Sequence, residues 1–182
     1  MTQLGEGGAV RLASPLPGWP WVPTLEDVRI RPYGVGDRER LRRMSDHLSK
    51  ASLYTRYFAG TPRIPDHHVR AMDRLDHWDR EAMVALLAGE IIGLAEYIRD
   101  VRWTWRAEIA VMVADPWQRR GIGGRLVADL AGLAGRRGVT EFVADVIPTN
   151  REALRAIGGA WPAAASWTAE GAARFRLPLP MP

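Results

Sequence analysis

The sequence of 182 residues contains no cysteine, and its only lysine is Lys50. Without cysteine the chain can form no disulfide bond, thiol nucleophile or cysteine-based zinc site. The longest apolar run, residues 82–88, is far shorter than a membrane span of about 20 residues. The first residues also lack the basic and apolar segments of a signal peptide. These absences predict a cytoplasmic protein that makes no contact with a membrane.

The distribution of charge argues against a nucleic-acid partner. The net charge is +4, and the arginines that carry it are interleaved with Asp and Glu along the chain. Domains that bind nucleic acids usually concentrate Lys and Arg on one stripe. The densest basic segment, residues 38–43, is diluted by Asp37, Glu39 and Asp46. We therefore expect a solvated helix face there and no nucleic-acid partner. An acidic or phosphorylated ligand stays compatible with the weak positive charge.

Length and composition indicate one globular domain preceded by an arm. Apolar residues make up 47% and charged residues 25% of the chain, which is typical of a globular protein. Residues 1–25 contain four prolines and show no apolar period, so an extended arm is predicted there. Residues 26–182 are assigned to a single domain.

Within that domain the hydrophobic period switches between strand and helix. Strands are predicted at 28–31, 81–88, 91–99, 103–113, 141–147 and 174–179. Helices are predicted at 37–48, 49–58, 66–75, 120–137 and 150–157, with Asp37 as the N-cap of the first. A tight turn at 88–90 makes the middle of the chain an antiparallel meander. This order predicts a mixed α/β fold with a central sheet.

One segment, residues 111–126, combines a strand, a short loop, a glycine-rich turn and an amphipathic helix. Unpaired N–H groups and the helix dipole favour an anion at such a helix start. Glycines let a phosphate approach the backbone, and neighbouring arginines add charged donors. The segment lacks the Lys-Ser/Thr of a P-loop and the GxGxxG spacing of a dinucleotide site. It predicts an anion pocket, the alternative being a tight turn without a ligand.

Within this segment, Gln118-Arg119-Arg120-Gly121-Ile122-Gly123 resembles the Q/R-x-x-G-x-G/A signature of GNAT-type N-acetyltransferases, which binds the pyrophosphate of acetyl-coenzyme A. The strands around it and the helix that begins at Asn150 also resemble that family, over residues 28–179. The resemblance implies a GNAT-like central mixed sheet of about six or seven strands with helices on both faces.

A narrower resemblance concerns the acceptor. Residues 53–58, Leu-Tyr-Thr-Arg-Tyr-Phe, look like a segment of bacterial protein lysine acetyltransferases, and residues 107–110 and 140–146 also resemble that group. This implies acetyl-CoA-dependent transfer of an acetyl group to a primary amine, with a protein lysine as acceptor, by direct attack in a ternary complex. The alternatives are an acetyltransferase for small amines or polyamines, and a non-catalytic module that binds acyl-CoA.

The resemblance also implies a donor site between two parallel strands that separate, here the strands that end near Val113 and Ile147. Backbone groups of Val111 and Val113 would bind the pantetheine arm, and an N–H near Met112 would polarise the thioester carbonyl. The predicted cofactor-binding residues are Val111, Met112, Val113, Gln118, Arg119, Arg120, Gly121, Ile122, Gly123, Gly124, Arg125 and Asn150.

A lysine acceptor makes a general base useful, because only about one lysine amine in 2,500 is neutral at pH 7. The resemblance to lysine acetyltransferases assigns the base to Glu108. Glu96 is the rival, since the hairpin places it near Glu108 on the same face, and neighbouring carboxylates raise the pKa of one of them. A third interpretation needs no base and pairs both carboxylates with arginines such as Arg99 and Arg106.

The general acid is where the sequence departs from the family. Many members carry a tyrosine seven residues after the asparagine, but here that position is Ile157, and residues 150–161 contain no tyrosine. Tyr54, Tyr57 and Tyr97 are the substitutes considered.

The histidines give no metal signal. His67, His68 and His77 lack the spacing of a helical zinc pair, and no carboxylate pattern accompanies them. We expect no metal, and as partners acetyl-CoA, the co-substrate, and an amine acceptor. The sequence leaves open whether the protein forms a homodimer.

Overall fold

The computed structural model describes residues 23–181. The helices are α1 (Arg38–Met44), α2 (Lys50–Tyr57), α3 (Asp66–Met72), α4 (Ile122–Arg136) and α5 (Arg151–Ala160). The strands are β1 (Arg29–Pro32), β2 (Arg80–Leu87), β3 (Glu90–Arg99), β4 (Arg106–Val113), β5 (Glu141–Val146), β6 (Ala165–Ala169) and β7 (Ala172–Pro178). The strands form one sheet in the order β1-β2-β3-β4-β5-β7-β6. This confirms the predicted mixed α/β fold.

The two faces of the sheet carry different helices. Gly93 of β3 lies on the face that contacts α4, and a Cβ there would come within 2.9 Å of Leu126 Cδ1. A larger residue at this position would force the buried Leu126 side chain of α4 to move. On the opposite face, Arg56 of α2 and His68 of α3 meet Glu96 of β3. Helices thus cover both faces, as predicted.

The β4–β5 pair is parallel and short. Its register covers only Arg106–Glu108 of β4 against residues 141–143 of β5. Beyond Glu108 each strand continues without pairing to the other, so a wedge-shaped gap opens toward Val113 and Val146. The remaining neighbouring strands are antiparallel.

Some predicted boundaries were wrong. The strand predicted at 103–113 begins at Arg106, because the Arg106 amide donates to Trp103 O and closes a turn there. Asp37 does not cap α1 with its side chain; the buried carboxylate instead accepts hydrogen bonds from Arg31, Arg40 and the Gly34 amide. Strand β6, mostly exposed at the edge of the sheet, was not predicted.

Most of the predicted arm, residues 1–22, lies outside the described residues. The described end of the arm reaches α4, because Leu25 O accepts a hydrogen bond from Arg125 Nη1 at 2.7 Å. Within residues 23–181, no helix is long and apolar enough to span a bilayer.

Candidate active site

The predicted anion loop forms the start of α4. Gly121 has a φ of 86°, a left-handed conformation that favours glycine, and α4 begins at the next residue. The Arg125 amide makes the hydrogen bond to Gly121 O at 3.1 Å that closes the first helical turn. The amides of Ile122, Gly123 and Gly124 precede that bond, so they point out of the helix end. Three backbone donors and the helix dipole therefore meet at one point, as an anion requires.

The Gln118 side chain connects this loop to the neighbouring elements through hydrogen bonds. Its Nε2 lies 3.0 Å from Val113 O, 3.1 Å from Asp115 Oδ1 and 3.2 Å from Ser52 Oγ. Asp115 also accepts hydrogen bonds from Ser52 Oγ at 2.6 Å and from the Ser49 amide at 3.2 Å. The Gln118 side chain thus ties the loop to β4 and α2 while the loop presents its backbone outward.

The three arginines of the loop differ in their surroundings. Arg119 is exposed and has a positive φ of 58°. Arg120 is partly buried, and the exposed Arg125 binds Leu25 O through one guanidinium nitrogen. Arg119 is therefore an exposed cation beside the helix start.

The gap between β4 and β5 leads away from this loop. Strand amides alternate in direction, and the Ala114 amide donates to Ile92 O on the β3 side. The amides of Val111 and Val113 therefore face the gap, whereas the Met112 amide faces β3. A Cβ on Gly123 would lie 3.7 Å from Val113 Cγ2 and 3.9 Å from Val111 Cγ1. The loop and the gap are thus one continuous site.

Asn150 follows β5, the strand on the other side of the gap from β4. Its Oδ1 accepts the Ala153 amide at 3.1 Å and so caps α5. Because Oδ1 is used in this capping hydrogen bond, the side-chain nitrogen Nδ2 is the atom that can donate a hydrogen bond to a ligand. The sequence-based prediction that Asn150 binds the cofactor therefore concerns this one atom.

Glu108 is the last residue of β4 that pairs with β5. It lies on the sheet face opposite to Val111, as its odd separation in sequence predicts. Its side chain is exposed, and within residues 23–181 it has neither an ion pair nor a side-chain hydrogen bond. A free carboxylate therefore stands where the two strands separate.

Glu96, the rival base, is on the same face but is not directly opposite Glu108. Its cross-strand partner is Ala110, and that of Glu108 is Ile98, so the two residues are diagonal neighbours, a relation that spaces backbone positions by about 7–8 Å. Glu96 is buried and forms an ion pair with Arg56 of α2. His68 Nε2 lies 3.4 Å from the same carboxylate. The sequence did not reveal this pairing, because it brings together residues 40 positions apart.

The pKa of His68 is lowered, mainly because burial disfavours the imidazolium, while the Glu96 charge opposes that effect. The Tyr57 ring meets His68 edge-on at 5.6 Å, and its hydroxyl is buried without a hydrogen-bond partner in the described part of the chain. Burial is also the main reason that the pKa of Tyr57 is raised, with a further contribution from Glu96.

The other tyrosines lie in different environments, and so does the residue at the family's tyrosine position. Ile157 is buried in the core. Tyr97 is fully buried and donates to Trp78 O at 2.7 Å, whereas Tyr54 is half exposed on α2. Of the three tyrosines considered as the general acid, Tyr57 is therefore the one whose surroundings include a candidate base, Glu96. In the described ranges, no group of three or more acidic or histidine side chains is arranged to hold a metal ion.

Comparison with known proteins identifies the family. The sequence model of the acetyltransferase (GNAT) family matches residues 50–157. The acetyltransferase Pat of Mycolicibacterium smegmatis is 31% identical over 147 residues, which cover 77% of this chain and 43% of that protein. An acetyltransferase of Pseudomonas aeruginosa is 32% identical over 141 residues, 72% of this chain and 74% of that protein. This chain thus spans less than half the length of the first relative.

A solved structure agrees with the sequence comparisons. The GNAT domain of S. lividans PAT superimposes with a TM-score of 0.77 at 30% identity, covering 84% of this chain and 90% of that one. The chain therefore belongs to the acetyltransferase (GNAT) family.

Proposed function

We propose that the chain transfers the acetyl group of acetyl-CoA to the side-chain amine of a protein lysine, with Glu108 as the general base. The observation that carries this proposal is the position of Glu108, an exposed carboxylate where β4 and β5 separate, with no ion-pair partner in the described part of the chain. Glu96 is a weaker candidate because Arg56 already neutralises its charge.

The donor occupies the loop and the gap. The amides of Ile122, Gly123 and Gly124 bind the pyrophosphate at the start of α4, assisted by the exposed Arg119. The pantetheine arm follows the gap, where the amides of Val111 and Val113 are available. One of these amides stabilises the negative charge that develops on the thioester oxygen.

The reaction is a direct transfer. Glu108 accepts the proton that the lysine ammonium loses, and the neutral nitrogen attacks the thioester carbonyl carbon. The new C–N bond forms and the attacking nitrogen releases its second proton to solvent. The C–S bond breaks, and coenzyme A leaves as a thiolate that takes a proton from solvent. Because Ile157 is a core residue, no step depends on a tyrosine at that position.

The shape of the surface around Glu108 favours a macromolecular acceptor. On the Glu108 face, the adjoining part of the sheet carries exposed side chains, including Ile98 beside Glu108 and Trp167 on β6. An exposed sheet face can receive a lysine presented by a protein segment, whereas a small amine is usually bound in a concave pocket. The likeness of residues 53–58 to lysine acetyltransferases supports the same acceptor.

An acceptor screen tests the proposal. Purified protein and acetyl-CoA are incubated with unstructured peptides that each contain one lysine, and in parallel with small amines and polyamines. Mass spectrometry is expected to show acetylated peptides and little acetylated small amine. Because Lys50 is the only lysine of the chain, a Lys50→Arg variant removes self-acetylation of a lysine from the background. Preferential acetylation of polyamines would overturn the lysine assignment, and no product in either series would favour a module that only binds acyl-CoA.

A further inference from the structure

Within residues 23–181, Glu108 forms no ion pair, although charged groups surround it on the same face of the sheet. Across β5 the opposite residue is Val143 and the diagonal one is Asp145. The charged side chains that face Glu108 from its own strand and the elements around it are Arg106 of β4, Glu96 of β3, Arg80 of β2, Glu141 and Asp145 of β5, Arg174 and Arg176 of β7, Arg56 of α2 and His68 of α3.

Four arginines of this set, Arg56, Arg106, Arg174 and Arg176, are each held by a carboxylate other than Glu108. Arg56 pairs with Glu96, and both Arg106 and Arg176 pair with Glu141, at 3.3 and 2.7 Å. These pairs leave Glu108 as the carboxylate of the set without a counter-ion in the described residues.

The Asp145–Arg174 pair has the most constrained geometry. The two residues are directly opposite on β5 and β7, and the contact is bidentate. Arg174 Nε lies 2.6 Å from Oδ1 and Nη2 lies 2.5 Å from Oδ2. Such fork-to-fork pairing fixes the orientation of the guanidinium as well as its position.

Arg174 is also within electrostatic reach of Glu108. Its pKa is raised chiefly by the hydrogen bonds to Asp145, and burial acts against this rise. The charges of Asp145, Glu108 and Glu170 raise the pKa further, in that order of size. The guanidinium therefore already interacts with both carboxylates, and the bidentate contact decides which of them it occupies. If Asp145 lost its charge, Glu108 and Glu170 would be the other anions that act on Arg174, and the effect of Glu108 is the larger of the two.

An arginine bound to Glu108 would harm catalysis in two ways. A neighbouring cation stabilises the ionised carboxylate, so Glu108 would accept a proton less readily. The guanidinium would also occupy the place that the acceptor ammonium must take. We propose that Asp145 is a positioning residue that retains Arg174 and thereby keeps Glu108 available to the acceptor amine. This inference rests on the proposed function, in which Glu108 is the base.

The test compares Asp145→Asn with the double variant Asp145→Asn/Arg174→Gln. The single variant releases Arg174, so kcat/KM for a one-lysine peptide is expected to fall about tenfold at pH 7. Because the released cation favours the carboxylate, the acidic limb of the pH profile is expected to move down by about one unit. The double variant has no arginine to release, so both values should return to within about twofold of the wild type.

A matched control uses a similar ion pair at a distance. Glu90 at the start of β3 holds Arg43 in a bidentate contact with distances of 2.9 and 3.0 Å. Glu90 lies eight residues along β3 from Ile98, the residue opposite Glu108, which is about 27 Å. Glu90→Gln should therefore leave the kinetics and the pH profile unchanged.

A second measurement needs no acceptor. In protein labelled with ¹³C at glutamate side chains, the Glu108 signal is identified by its loss in Glu108→Gln. Its titration midpoint should move to lower pH in Asp145→Asn and return in the double variant. An unchanged midpoint and pH profile in Asp145→Asn would overturn the inference, and so would a loss of activity that the double variant does not rescue.

The two proposals fail in different ways. Wild-type activity in Glu108→Gln would remove the base and, with it, the role assigned to Asp145. An inactive Glu108→Gln variant together with an unaffected Asp145→Asn variant would overturn the positioning role and leave the proposed function intact.

Discussion

Gly123→Glu is the substitution that separates cofactor binding from folding most cleanly. A Cβ at position 123 would make only ordinary contacts, 3.7 Å from Val113 and 3.9 Å from Val111. The longer part of the glutamate would then reach the helix end where the pyrophosphate binds. A carboxylate near a helix N-terminus also stabilises the helix by about 0.3–1 kcal/mol, so the variant should melt no lower than the wild type.

The expected loss of affinity follows from the donors that become blocked. A hydrogen bond to a charged group contributes about 1.5–3 kcal/mol. Losing two of the three amide contacts at the start of α4 would therefore cost about 3–6 kcal/mol. At about 1.4 kcal/mol per factor of ten, acetyl-CoA should bind roughly 10²- to 10⁴-fold more weakly.

Calorimetric titration of acetyl-CoA measures this loss, and Gly132→Glu is the matched control. Gly132 is exposed on the same helix, nine residues or about 13 Å from Gly123, and its nearest potential contact is Arg136. The control adds the same charge away from the site and should keep wild-type affinity. Wild-type affinity in a folded Gly123→Glu variant would refute the reasoning.

Three further substitutions test the loop and two buried ionisable side chains. Gln118→Ala removes the side chain that ties the loop to Val113, so melting should show a loss of about 1–2 kcal/mol and calorimetry a several-fold weaker affinity for acetyl-CoA. Asp37→Asn replaces a buried carboxylate whose pKa is lowered chiefly by Arg31. Chemical unfolding should show that the variant loses about 2 kcal/mol of unfolding free energy at pH 7, and that this difference from the wild type shrinks as the pH falls below about 4. Burial lowers the pKa of His68, so as the pH falls the imidazole is protonated in the unfolded chain before it is protonated in the folded one. The free energy of unfolding should therefore decrease at pH values below about 6.5, and the decrease should be smaller in His68→Gln.

Local patterns were enough to predict much of the fold. Alternation and turn residues placed β2 and β3, and the amphipathic period placed α4 to within two residues. Strand β6 was missed because its residues, Ala-Ser-Trp-Thr-Ala, are mostly exposed and have no apolar alternation. Its position at the edge of the sheet depends on pairing with β7, which no local pattern encodes.

In the candidate site, too, the features set by local sequence were predictable and those set by contacts between distant segments were not. The glycine loop was predictable because its donors are backbone groups that follow from local conformation. The pairing of Glu96 with Arg56, and of Asp145 with Arg174, depends on contacts between distant segments. Those contacts also decide which carboxylate stays free, so the sequence left Glu108 and Glu96 as rivals. The cytoplasmic location and the lack of a nucleic-acid partner stay predictions.

The most direct test of the account is a paired measurement on Glu108→Gln and the wild type. Calorimetry gives the affinity for acetyl-CoA, and mass spectrometry gives the rate of acetyl transfer to a one-lysine peptide. Because Glu108 lies on the sheet face opposite to α4, whose first amides bind the pyrophosphate, the account predicts an affinity within about twofold of the wild type and a rate about 10²- to 10⁴-fold lower. A wild-type rate in the variant would contradict the assignment of Glu108 as the base.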